Sequence, residues 1–268
     1  MKIFKHLGFL GTSAVRIGYF VAAVAAIVAF AYLFGFHILA GALKGGDAGF
    51  ALHNLTWYAR WFPKIPVWYP LQGGGFALTL SYPVIQNLIA IIIERTTSFD
   101  LIQSFKILVF ASYLFSALGV YFLGAWRMRN QTVGLIAALI FLALPGPWFW
   151  TTKLGYYAFA IAIGLFPWGL VFFDWFLESV VKHETKAKVA AKLFLASLFL
   201  GLAYIFHAFV GASLTLGFFL YGPIVGFLRH KKLSLRGIIP GFAAALLVFI
   251  FAILLYAFWF FPVFRYAK

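Results

Sequence analysis

Residues 17–43 read IGYFVAAVAAIVAFAYLFGFHILAGAL, without a single Asp, Glu, Lys or Arg. A helix needs about 20 predominantly apolar residues to cross the hydrocarbon of a bilayer. This run is long enough, and it is not isolated. Six further charge-free stretches follow at Ile65–Ile93, Ile107–Trp126, Asn130–Thr152, Leu154–Phe173, Leu193–Leu228 and Gly237–Phe264. Most have the length of one crossing, and Leu193–Leu228 has room for two short ones. The first run is too long for the apolar core of a signal peptide and is expected to stay as an uncleaved anchor.

Composition agrees with this reading. The 268 residues are 65% apolar and 10% charged, far from the balance of a soluble domain. The net charge of +15 raises the question of nucleic acid, because basic patches bind phosphate backbones. The cations, however, form short clusters between apolar runs: Lys2, Lys5 and Arg16; Arg127 and Arg129; Lys182, Lys186, Lys188 and Lys192; Arg229, Lys231, Lys232 and Arg236. That is how cationic loops are held in the cytoplasm. The expected partner is the lipid bilayer and not nucleic acid, with the N-terminus cytoplasmic in a multi-pass protein of the plasma membrane. With no cysteine, disulfides and thiolate metal sites are excluded.

The chain changes character after the first run. Residues 44–83 read KGGDAGFALHNLTWYARWFPKIPVWYPLQGGGFALTLSYP. Pro63, Pro66, Pro70 and Gly73–Gly75 preclude a continuous spanning helix. Within this extracytoplasmic loop (44–82), Phe50, Leu52, Leu55, Tyr58, Trp61 and Phe62 recur near helical spacing, and His53, Asn54 and Arg60 fill polar positions. The pattern predicts an amphipathic helix over 48–62 lying in the membrane interface; a loop with aromatic anchors is the alternative. Val84–Ile93 is too short for an upright crossing. If the clusters at 127–129 and 182–192 are cytoplasmic, residues 81–126 must cross an odd number of times. A re-entrant or tilted 83–94 segment and one full span at 101–126 satisfy this; two full crossings would place Arg127 and Arg129 outside, against the charge rule. Further helices are expected at about 131–149, 155–181, 190–207, 208–228 and 236–262. Pro145, Pro147 and Pro167 should kink or end helices. The fold class expected is an all-α polytopic bundle in a single transmembrane domain over 1–268.

Ionisable groups near the membrane are costly and therefore candidates for function. Asp47, behind Gly45-Gly46, is the first acidic residue of the chain. Its carboxylate suits a general base or a metal ligand, or equally a cap for the 48–62 helix. His53 lies six residues on. Arg60 and Lys64 sit where positive charge is otherwise disfavoured, which suits a phosphate partner or lipid headgroups. His207 interrupts the long uncharged run, either to satisfy carbonyls at a helix break or to line a cavity. Arg265 follows the last run and should return to the side of Asp47. Asp174 and Glu178, one turn apart, are expected to pair locally with Lys182. Nucleotide-binding, zincin and nucleophile-elbow motifs are absent.

Taken in order, a first span, Gly46-Asp47, His53, Pro66-x-Trp68, Gly73–Gly75 and Tyr82-Pro83 resemble the GT-C glycosyltransferases, multi-pass enzymes that use polyprenyl-phosphate-linked sugars. The likeness is nearest to bacterial membrane proteins labelled 6-pyruvoyl-tetrahydropterin synthase-related, a label that need not imply pterin chemistry. Leu144-Pro145, His207 and Phe261-Pro262 are later landmarks. Tyr82-Pro83 is followed by Val84 where a second proline is usual, and family members commonly run far beyond 268 residues. The resemblance thus implies an N-terminal or minimal module. It further implies inverting sugar transfer to an unidentified acceptor, with Asp47 as catalytic base and a possible divalent cation (Mg or Mn) on Asp47. His53, Arg60, Lys64, Tyr82, His207 and Arg265 would be substrate-binding. The alternatives are a non-catalytic polyprenyl-lipid-binding or transport component and a structural subunit of a membrane complex.

Overall fold

The computed structural model describes residues 13–65, 68–69, 76–77, 84–230 and 235–258. Tyr82 and Arg265 lie outside the described residues. Eleven helices are described: α1 (Ser13–Ala40), α2 (Ala48–Trp61), α3 (Ile85–Thr96), α4 (Leu101–Met128), α5 (Gln131–Ala143), α6 (Pro145–Thr152), α7 (Tyr157–Ile163), α8 (Phe166–Val181), α9 (Lys186–Phe206), α10 (Ala208–His230) and α11 (Leu235–Leu255). A two-residue antiparallel ladder, β1 (Trp68–Tyr69) with β2 (Phe76–Ala77), lies in the Pro/Gly-rich stretch, with Trp68 opposite Ala77.

Six segments are long and apolar enough to cross a bilayer: Ile17–Ala40, Leu101–Met128, Tyr157–Val181, Lys186–Phe206, Ala208–Phe227 and Ile238–Leu255. The chain is an all-α, multi-pass membrane protein. Its surface fits that solvent: Leu33, Phe209, Leu254 and Phe258 are each more than 60% exposed, where water would penalise them and lipid does not. At about 1.5 Å per residue, the 12 residues of α3 extend about 18 Å, short of a crossing of about 30 Å. Between residues 81 and 126, α4 is thus the one described helix of spanning length, as the charge pattern predicts.

Helix ends fall where local chemistry puts them. Asp100 caps α4, accepting from the Gln103 N–H at 2.7 Å, and Asn130 caps α5 through the N–H groups of Thr132 and Val133. These side chains satisfy donors that the first turn leaves orphaned. Two expected helices are each divided. Pro145 has no N–H to continue the α5 ladder and opens α6 instead. The 155–181 segment is divided between α7 and α8, with Pro167 the second residue of α8.

The chain forms two compact units, residues 1–60 with 86–168, and residues 61–85 with 169–268. In the first, α1 and α4 run antiparallel: Phe20 meets Tyr121 at 6.2 Å between ring centroids, and the Lys106 ammonium reaches the Leu39 carbonyl at 3.4 Å. Helices α4 and α5 pack closely at Gly124 and Gly134; a Cβ on Gly134 would sit 2.5 Å from the Tyr121 carbonyl. Buried Trp148 stacks on Tyr113 at 4.2 Å and donates its indole N–H to the Leu142 carbonyl.

In the second unit, Phe173 on α8 stacks on Phe218 of α10 at 4.4 Å. Ser197 on α9 donates to the Val248 carbonyl of α11 at 3.1 Å. Asp174 is wholly buried and accepts from the Tyr221 hydroxyl at 3.2 Å. The expected pairing with Lys182 belongs to Glu178 at 2.6 Å: residues four apart share a helix face, whereas Lys182 is eight residues from Asp174. The uncharged run Leu193–Leu228 divides at His207, whose extended backbone (φ −166°, ψ 113°) separates α9 from α10. The Tyr204 hydroxyl bonds Thr215 at 3.0 Å across this break, so the two helices form a hairpin.

Candidate functional site

The connection from α1 to α2 is built by two glycines. Gly45 (φ +114°) and Gly155 (φ +75°) adopt backbone conformations that L side chains rarely reach. Their main chains also touch. A Cβ on Gly155 would lie 2.6 Å from the Ala48 nitrogen, and one on Gly45 would lie 2.7 Å from the Leu154 carbonyl carbon. This contact lets the Asp47 N–H donate to the Leu154 carbonyl at 2.9 Å. The segment after α1 is thereby fastened to the α6–α7 connection, more than 100 positions away in sequence.

Tyr157 fixes the same connection from α7. Its hydroxyl accepts from the Lys44 N–H at 2.9 Å and donates to the Lys44 carbonyl at 2.7 Å, so both main-chain polar groups of one residue are satisfied by one side chain. Behind it Thr151 is bonded to Tyr113, and Phe105 meets the Tyr157 ring edge-on at 5.8 Å. Between these groups lies a cavity of about 210 Å³. Its lining includes apolar Ile38, Ala42 and Leu43 and polar Lys44, Thr151 and Tyr157. His37 also lines it, with its ring 5.8 Å from Trp148.

Asp47 occupies the N-cap position of α2 by its backbone: its carbonyl accepts from the Ala51 N–H at 2.9 Å. Its half-exposed carboxylate makes no hydrogen bond or ion pair among the described residues. The carboxylate is therefore not spent on capping, which separates it from Asp100, whose side chain is.

Helix α2 spans 48–61 and has a buried and an exposed side, but Asn54, expected at a polar position, is buried, and Trp61, expected on the apolar face, is exposed. Asn54, Leu55 and Tyr58 are buried and His53, Thr56 and Arg60 are exposed. Burial without a hydrogen-bond partner pushes the Tyr58 phenol above its ordinary range. His53 and Arg60, seven residues apart, face the same exposed side two turns from each other. Asp47, His53 and Arg60 belong to the first unit, Lys64 and His207 to the second. His207 serves the helix break with its main chain, donating to the Ala203 carbonyl and accepting from Val210 and Gly211. Desolvation holds its imidazole below the usual histidine range.

Sequence reasoning did not single out Lys44, Thr151, Tyr157 or the Gly155 contact. Lys44 was visible as the cation closing the first run, but its partner is 113 residues away and no local pattern announces it. The described residues group no three His, Cys, Asp or Glu side chains that could hold a metal ion. The Asp47 carboxylate would supply one oxygen ligand to Mg or Mn, and a phosphate-bearing ligand would have to supply others, a division of labour common for Mg. No protein-family model, no curated protein and no solved structure matches the chain.

Proposed function

We propose that the protein is a membrane glycosyltransferase that moves a sugar from a polyprenyl-phosphate donor to an acceptor on the extracytoplasmic side of the plasma membrane, with the N-terminus cytoplasmic. The observation that carries this reading is the Asp47 carboxylate. It heads α2, seven residues past the end of a spanning helix, with its main chain bonded to Leu154 and no hydrogen bond or ion pair consuming it among the described residues. A carboxylate anchored through its backbone, with its side chain unengaged among the described residues, is available to act as a general base, which supports this reading. The order of motifs from Gly46-Asp47 to Tyr82-Pro83 supports the same reading.

In this mechanism Asp47 takes the proton of an acceptor hydroxyl as the oxygen bonds to the anomeric carbon. The bond from that carbon to the donor phosphate breaks from the opposite face, and the phosphate departs with the electron pair. Cations near the carboxylate stabilise the charge that develops on the leaving phosphate. His53 and Arg60, on the exposed side of α2, are the groups proposed to meet donor or acceptor.

The competing reading is a lipid-binding or transport component without turnover, favoured by the apolar residues lining the cavity. Asp47→Asn separates the two. The substitution keeps size and backbone, so insertion and helicity should be unchanged while transfer from a polyprenyl-phosphate sugar is lost. Transfer that survives Asp47→Asn would remove the catalytic reading. Donor binding without turnover in both forms would establish the alternative.

A further inference from the structure

The turn between α8 and α9 gathers positive charge where two apolar segments meet. Residues 182–185 join Tyr157–Val181 to Lys186–Phe206, both of spanning length, and a connection this short stays at the level of the lipid headgroups. Lys182, Lys186 and Lys188 are exposed. Lys182 pairs with Glu178 at 2.6 Å. Lys192, inside the second segment, reaches back to Glu184 at 2.7 Å, as a long cationic side chain does when it carries its charge toward water. The hydrogen bond from Lys192, together with the charges of Lys192, Lys188 and Lys182, holds the Glu184 carboxyl below the usual glutamate range. Three lysine side chains thus lie around one carboxylate.

Glu178 and Glu184 balance two of the four lysines. Lys186 and Lys188 form no ion pair among the described residues. They do not serve the helix either: at the first and third positions of α9, with no acidic residue in its first turn, they oppose its dipole. Orientation in the membrane asks only that cations lie in the loop, not that they gather in the fold with two left unpaired. Next to them, Val180 and Val181 at the end of α8, and Phe194 two turns into α9, are exposed. Net positive charge beside exposed apolar side chains fits a ligand that is anionic at one end and hydrocarbon at the other. We propose that the α8–α9 turn binds an anionic diester phospholipid of the surrounding leaflet, with Lys186 and Lys188 meeting the phosphate and Val180, Val181 and Phe194 meeting the acyl chains. The surface shares no residue with the Asp47 connection, and the proposal does not rest on the transfer reading.

The chain has no cysteine, so Ala187→Cys, at an exposed position between the two lysines, gives a single attachment point for a fluorophore. The labelled full chain is placed in phosphatidylcholine nanodiscs that contain a minor share of phosphatidylglycerol or of phosphatidylcholine, each with a nitroxide high on one acyl chain. Phosphatidylglycerol should quench the label with a local association at least about fivefold stronger, the contribution of one lysine near an anionic surface. The preference should fall as salt is raised. A label on Ser98→Cys in the α3–α4 turn, where Glu94 and Asp100 outnumber Arg95, should show no preference. Equal quenching by the two lipids at position 187 would overturn the proposal, as would an unchanged preference when K186Q/K188Q is added. The charge-keeping pair K186R/K188R should retain it. If the glutamine variant does not insert, Thr185→Asp carries the test: a carboxylate at the start of α9 stabilises the helix while repelling phosphate, and an unchanged preference there overturns the proposal. Soluble polyglutamate distinguishes the partner. Failure to relieve the quenching supports a lipid, and full relief assigns the surface to an acidic protein and overturns the lipid reading.

Discussion

Gly155→Ala should be one of the most damaging single-methyl changes in the first unit. Two costs act together. An L residue held at φ +75° carries about 1–2 kcal/mol of backbone strain. The new Cβ would also lie 2.6 Å from the Ala48 nitrogen and 3.1 Å from the Asp47 nitrogen. Both are main-chain atoms, so no rotamer can give way, and such overpacking costs about 1–3 kcal/mol. Moving Asp47 aside would stretch its 2.9 Å bond to Leu154, a further loss of about 1 kcal/mol. The stiffer unfolded chain returns about 0.4–1 kcal/mol. The net expectation is a destabilisation of about 2–6 kcal/mol. Gly49→Ala is the internal control: it is exposed in the first turn of α2 with nothing within 4 Å of a Cβ, and better helix propensity should make it neutral or stabilising by up to about 1 kcal/mol. Reversible unfolding in mixed micelles, followed by circular dichroism, measures both. If Gly155→Ala unfolds within about 0.5 kcal/mol of wild type, or if the two variants behave alike, the crossing of Gly45 and Gly155 does not hold this connection, and the placement of Asp47 argued from it fails.

Other substitutions test separate contacts. Tyr157→Phe strips both main-chain partners from Lys44 and should cost about 1–3 kcal/mol by the same unfolding assay. Glu178→Gln should change stability by less than about 0.5 kcal/mol, because its bridge to Lys182 is partly exposed. His207 supplies a pH dependence: its folded value lies below the ordinary value of 6.5, so the unfolded chain binds the proton more tightly. Its contribution is intact above about pH 6.5 and is lost as pH falls below that. His207→Gln should remove that part of the acid slope in a pH series of unfolding midpoints, and an unchanged slope would exclude desolvation of this imidazole as its source.

Much of the architecture was legible because lipid imposes a simple code. Five of the charge-free runs hold the helices of spanning length, whereas Asn130–Thr152 divides into the shorter α5 and α6; Pro145 ended α5, and α2 appeared within one residue of its periodic pattern. The short segment after Pro83 is helical and too short to cross, as its length required. The site was less legible. A free carboxylate and a capping carboxylate have the same local signature: Asp100 caps α4 through its side chain while Asp47 heads α2 without doing so. What sets them apart is the contact with Leu154 and Gly155, which arrives from the far side of the unit. Asp174 was misread for a related reason. Helix periodicity groups it with Glu178, but its hydrogen bond comes from Tyr221, 47 residues later. Periodicity describes one helix at a time, and these residues depend on two.

The break at His207 bears on how the rest of the chain is threaded. A hydropathy profile would count Leu193–Leu228 as one unusually long apolar stretch, yet it holds two helices joined by a single extended residue. Miscounting it by one reverses the parity of the later segments, and would assign Tyr256 to the wrong compartment. A hairpin this tight also offers no hydrophilic loop to be pulled across on its own. Helices α9 and α10 should therefore enter the bilayer together, as one inserted unit, and neither would leave a stable intermediate with the turn stranded in the hydrocarbon.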